Sequence, residues 1–107
     1  MSSFDKREEG FEKKYALDEE QKFKAEARRN KLLGLWAAEK LGITGDAAAA
    51  YAKEVVAADF EEAGDQDVQN KVVKDFTAKG VAVTAAEVRI KMDELMAQAV
   101  AQVKAGT

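Results

Sequence analysis

Residues 18–42 read DEEQKFKAEARRNKLLGLWAAEKLG, from Asp18 to Gly42. This stretch decides the fold. Asp18 is placed to cap a helix, and Gln21 stands three residues on, as in a capping box. Phe23, Ala27, Leu33, Trp36 and Ala37 then recur at helical spacing and form an apolar face. Gly42 supplies the left-handed stop that ends many helices. The segment therefore predicts a helix over about Glu19 to Leu41.

Three further segments follow on the C-terminal side, each punctuated by glycine. One runs from about Asp46 to Glu62, with Thr44 or Asp46 as cap, Gly64 as stop, and Ala48, Tyr51, Ala52, Val55 and Phe60 facing inward. The next, about Gln66 to Lys79, lies between an Asp65 cap and Gly80, and Val68, Val72 and Phe76 recur every fourth residue. The last begins after Thr84. Thr84-Ala85-Ala86-Glu87 matches a capping box. Val88, Met92, Leu95, Met96, Ala99 and Val103 form the cleanest apolar stripe in the chain, which ends near Ala105. Short connections make successive helices near-antiparallel neighbours. The expected fold is all-α: an irregular four-helix bundle, because the third helix is short. The core is expected from Phe23, Trp36, Tyr51, Phe60, Phe76, Met92 and Leu95.

Composition supports an all-helical chain and excludes much else. Proline is absent, and good helix formers dominate. The 107 residues make one domain's worth of chain, with 47% apolar and 35% charged residues, the latter above the usual share and suited to solvated helix faces. The chain has neither cysteine nor histidine. Disulfides, thiol chemistry, a histidine base and an imidazole pH switch are therefore excluded. The net charge of −3 argues against general nucleic-acid binding. Residues 1–10 lack the apolar centre of a signal peptide, and no apolar run approaches a membrane span. The expectation is a cytoplasmic, non-catalytic protein with no cofactor and no metal, monomeric when free.

Residues 1–18 differ from the rest and form an expected arm, leaving 19–107 for the bundle. The arm alternates charges through Asp5, Lys6, Arg7, Glu8, Glu9, Glu12, Lys13 and Lys14. Gly10 in its middle costs about 1 kcal/mol against helix. On a helical wheel Phe4, Phe11 and Tyr15 fall within about 40° of one another. This is the pattern of a segment, largely disordered when free, that becomes helical in an apolar groove of a partner. A tail with three incidental aromatics, or one folded back on the bundle, has the same pattern.

Other features have plainer readings. Lys22, Lys24, Arg28, Arg29 and Lys31 make a basic cluster, but Glu19, Glu20 and Glu26 interleave it, and Glu20 and Lys24 suit an i,i+4 pair. A solvated helix face is expected. Trp36 reads as a core anchor. Gly42-Ile43-Thr44-Gly45 reads as a stop and a start in succession, since no lysine accompanies it as in a phosphate loop. Asp59, Glu61, Glu62, Asp65 and Asp67 resemble a calcium loop only at its start. Asn70 and Phe76 stand where that loop needs Gly and Glu. A generic helical adaptor and an adenine-nucleotide-sensing module are the alternative functions.

Several stretches together resemble one family. Phe4-Asp5-x-Arg7-Glu8 opens the chain, and Phe23-Lys24-Ala25-Glu26-Ala27-Arg28-Arg29-Asn30-Lys31-Leu32-Leu33-Gly34-Leu35-Trp36-Ala37-Ala38 follows. Ala50-Tyr51-Ala52, Asp59-Phe60-Glu61, Gly64-Asp65-x-Asp67-Val68 and Lys91-Met92-x-Glu94-Leu95 continue the match. These resemble the zeta inhibitor subunit of the alphaproteobacterial F-type ATP synthase. The resemblance implies a four-helix bundle that inhibits ATP hydrolysis through its N-terminal arm. The arm is expected to enter the catalytic head as a helix between an α and a β subunit, near the rotor shaft, and the bound protein to sit at the cytoplasmic face of the inner membrane. The contacts expected are Phe4, Asp5, Arg7, Glu8, Phe11, Lys13, Lys14 and Tyr15. The partners are the α, β and rotor-shaft subunits, with no nucleic acid and no membrane insertion.

Overall fold

The computed structural model describes residues 17–59 and 65–106. Four helices appear in the order α1 (Glu19–Leu41), α2 (Gly45–Ala58), α3 (Gln66–Lys79) and α4 (Ala85–Lys104). The described residues contain no strand, and the all-α four-helix fold stands. α1 is the longest and packs mainly on α2 and α4, with a smaller contact to α3.

The chain turns where its small residues require. α1 starts with both halves of the capping box: the Gln21 amide donates to the Asp18 carboxylate at 2.7 Å, and the Asp18 amide donates back to the Gln21 side chain at 3.3 Å. It stops at Gly42, whose φ of 77° is open to glycine and strained for most other residues. The Ile43 amide reaches back to the Ala38 carbonyl at 2.8 Å, and Ile43 packs on the core. α3 ends in the same motif. Gly80 has φ 75°, and the Val81 amide bonds the Phe76 carbonyl at 2.9 Å. Both ends thereby satisfy carbonyls that a bare helix end leaves open.

The main core joins all four helices. Leu33, Ala37, Ala38, Val55, Val68, Val72, Phe76, Val88 and Met92 are fully buried, with Leu41, Tyr51 and Leu95 nearly so. Gly34 lets α1 and α2 approach. A Cβ there would lie 2.6 Å from the Ala52 Cα, closer than real side chains come to backbone. A second, smaller cluster joins α1 to the end of α4 through Leu17, Ala25, Met96 and Val100, with Val103 beside it.

Four expectations need correction. Phe23 is 62% exposed and no core residue. It lies on the side of α1 that faces α2, but only beside Val56 in the last turn of that helix, which leaves most of its ring uncovered. α2 is accordingly shorter than the Glu62 boundary expected, and Phe60, Glu61, Glu62 and Gly64 lie outside the described residues. Trp36 is only half-buried. Its ring meets the fully buried Phe76 edge-on at 5.7 Å, with Lys40 and Lys91 near its faces. Arg29, expected on a solvated face, is buried. It falls in the row Ala25, Arg29, Leu33, Ala37, Leu41, which looks inward along the whole helix.

Candidate functional site: the start of the first helix and its polar support

Every residue expected to touch a partner, from Phe4 to Tyr15, lies outside the described residues. What the structure shows is the base from which that segment departs. At this base Leu17 is 8% exposed, so it belongs to the packed part of the molecule. A hydrophobic residue in its place, just before the cap, commonly packs on the fourth helical residue. That residue here is Lys22, and Leu17 instead joins Ala25 of α1 and Met96 and Val100 of α4. Asp18 follows with φ −80° and ψ 174°, an extended conformation that ends α1 in the N-terminal direction. Farther along α1, the Arg28 guanidinium donates to Gln102 of α4 at 3.5 Å.

Behind this junction a charged network ties α1 to α3 and α4. Arg29 is 4% exposed, and its Nε donates to the Asn30 Oδ1 at 2.7 Å. Its guanidinium also reaches the Asp65 carboxylate at 3.5 Å. The same Asp65 oxygen accepts from Arg89 of α4 at 2.8 Å. Arg89 further donates to Gln69 Oε1 at 2.7 Å, and Gln69 donates to the Ala85 carbonyl at 2.9 Å. Asp65 therefore caps α3 in position but not by its side chain, which the two arginines engage. Burial pulls the Arg29 pKa down, and Asp65 opposes that most strongly. Burial likewise pushes the Asp59 carboxyl up, while Arg29 pulls it partly back.

Phe23, Glu26, Ala27, Asn30, Val56 and Asp59 enclose a cavity of about 20 Å³ between α1 and α2. The Asn30 Nδ2 is buried there, near enough to Asp59 to help hold its carboxyl down but without completing a hydrogen bond of good geometry. That volume suits a single water and falls far below the several hundred Å³ typical of a small-molecule pocket. It gives no support to a nucleotide-sensing role. On the far side of the bundle, the Tyr51 hydroxyl donates to Asp75 at 2.7 Å, and Lys71 pairs with Asp75 at 2.9 Å. Burial and that carboxylate raise the Tyr51 pKa, which keeps the phenol neutral. This group locks α2 to α3. No cluster of potential metal ligands occurs among the described residues, and none of their helices is long and apolar enough to cross a membrane.

Sequence reasoning missed Leu17 and the Arg29–Asp65–Arg89–Gln69 network. The inward i,i+4 row through Arg29 was a readable signal. The choice of Asp65 as its partner, 36 residues away, was not.

No curated protein matches the chain. A solved structure, determined in solution by NMR, is 59% identical, superposes with a TM-score of 0.70, and covers 79% of this chain and 96% of its own. The model of a family described as ATPase inhibitor subunit zeta matches residues 1–102. That match takes in both the N-terminal segment and the bundle, and with it the chain belongs to the ATPase inhibitor subunit zeta family, a regulatory protein of ATP synthase and not an enzyme.

Proposed function

We propose that the protein inhibits ATP hydrolysis by inserting residues 1–18 as a helix into an α/β interface of the catalytic head, close to the rotor shaft, while the bundle stays outside. The observation that carries this reading is the family match, which begins at residue 1 and so includes the arm. The start of α1 supports it. Asp18 is the hinge, because its capping box stands where the helix begins. On binding, α1 extends backward through Asp18 and becomes continuous with the arm.

Phe4, Phe11 and Tyr15 then form the apolar stripe of the new helix. Asp5, Arg7, Glu8, Lys13 and Lys14 supply charge pairing around it. Three aromatics alone do not offset the ordering of so long a segment. The groove has to close around the arm, which is what a catalytic interface does during turnover. Blocking that closure cycle stops rotation in the hydrolytic direction.

The test is ATP hydrolysis by the purified catalytic head with and without the full chain, combined with cross-linking from Phe11. Inhibition with cross-links to both α and β supports the insertion. Inhibition with no cross-link from Phe11 to either subunit contradicts it.

A further inference from the structure

The same junction that would let the arm become a helix also resists it. Leu17 is buried in the free protein against Ala25, Met96 and Val100, and its neighbour Asp18 holds both capping bonds. Helix geometry dictates what extension does to these contacts. At about 100° per residue, a helical Leu17 would stand at the same angle as Leu35, five turns on. Leu35 is 39% exposed, Lys24 and Lys31, within about 40° of that angle, are exposed as well, and Arg28, about 20° away, is partly buried and reaches Gln102 at the end of α4 with its long side chain. The buried side of α1, centred near Leu33 and Ala37, lies roughly opposite. Ala25, the partner of Leu17 on α1, stands about 80° from that angle, so a continuous helix turns Leu17 away from the cluster it now occupies. It also breaks the capping box, because Asp18 must leave its extended conformation.

We propose that Leu17 and the Asp18 cap form an autoinhibitory latch, which holds α1 at its free-state start and weakens inhibition until a partner pulls it open. This rests on the helical insertion described above. In the extended helix Leu17 stands about 140° from the Phe4, Phe11 and Tyr15 stripe. It therefore has no part in the contacts those aromatics make. The latch subtracts from affinity by keeping the binding-competent conformer in the minority, and removing it returns that fraction.

The test compares full-length variants as inhibitors of the purified catalytic head. Leu17→Ala should lower the half-inhibitory concentration about tenfold, against the intuition that deleting a buried side chain harms a protein. Asp18→Ala should lower it about fivefold through loss of the cap, and it carries the test if Leu17→Ala fails to melt cooperatively. Leu17→Met, which keeps the apolar contact, should stay near the parent chain. In the free Leu17→Ala protein, amide exchange at Gln21 and Lys22 should speed up while that at Leu33 does not change. Unchanged or weaker inhibition by both alanine variants overturns the latch, provided the parent chain inhibits and a chain lacking residues 1–16 does not. If that truncated chain inhibits fully, the insertion reading fails instead, and the latch falls with it.

Discussion

The two ends of α1 are built differently. From Leu33 to Leu41 the helix buries Leu33, Gly34, Ala37, Ala38 and Leu41, and all three other helices meet it there. From Glu19 to Ala27 it buries only Ala25, leaves Phe23 in the open, and depends on Leu17, a cap and the end of α4. The first end is where folding free energy is concentrated. The second is held by few apolar contacts and exposed hydrogen bonds, the marks of a segment that opens at low cost. A protein whose working part must change conformation gains from this division. The change can occur at one end of a helix while the other end keeps the fold.

The largest effect expected is at the rigid end. Phe76 is fully buried and meets Trp36 edge-on. Phe76→Ala should cost about 3–5 kcal/mol, read as a fall in the urea midpoint, because it opens a cavity where the helices converge. Trp36→Ala should cost less, since its ring is half-exposed. A greater loss from Trp36 than from Phe76 would break the ranking.

Asp65→Asn comes next. The substitution keeps a good capping residue but removes the charge that Arg29 and Arg89 share. Breaking this partly buried ion pair should cost up to about 3 kcal/mol, because the buried Arg29 left behind stays desolvated. A melting temperature close to that of the parent chain would show that Arg29 finds another partner and that the network does not stiffen the base of α1.

The smallest effect sharpens the comparison at the boundary between the two ends. Burial raises the Asp59 carboxyl above its ordinary range, with Arg29 and Asn30 opposing. The folded chain then holds this proton more tightly than the unfolded chain does. Its contribution to stability is present below the unfolded value and is lost as pH rises through the folded one. Asp59→Asn should therefore melt slightly higher than the parent at pH 7, and the difference should shrink towards pH 4. A gap that widens on acidification would mean that Asp59 is held mainly by Arg29 as a stabilising carboxylate.

Much of this architecture is legible in the sequence. The starts of α1 and α4 and the ends of α1 and α3 carry capping residues, whose effect is local and so readable. Thr84 caps α4 by accepting from the Glu87 amide at 3.1 Å, one half of the box that its motif implies. α2 ends at Ala58 with no capping residue to mark the place, whereas Gly64 and the apolar spacing suggested a longer helix. Phe23 shows the same limit in another form. Periodicity gives the side of a helix a residue faces, but not how much of it a neighbour covers. Arg29 shows a third: a charged side chain reads as solvated until its distant partner is known. Of the candidate site, the arm rests on sequence pattern, its residues 1–16 lying outside the described residues, while the Leu17 contact depends on where α4 ends and so needed the tertiary structure.

The central claim is that inhibition and folding belong to different parts of one chain. Removal of residues 1–16, with Leu17 and Asp18 kept, tests it most directly. Helical content and the cooperative melt of the truncated protein should match those of the full chain, and inhibition of ATP hydrolysis by the catalytic head should vanish. A truncated chain that folds and still inhibits as strongly as the full chain would contradict the account and assign the function to the surface of the bundle.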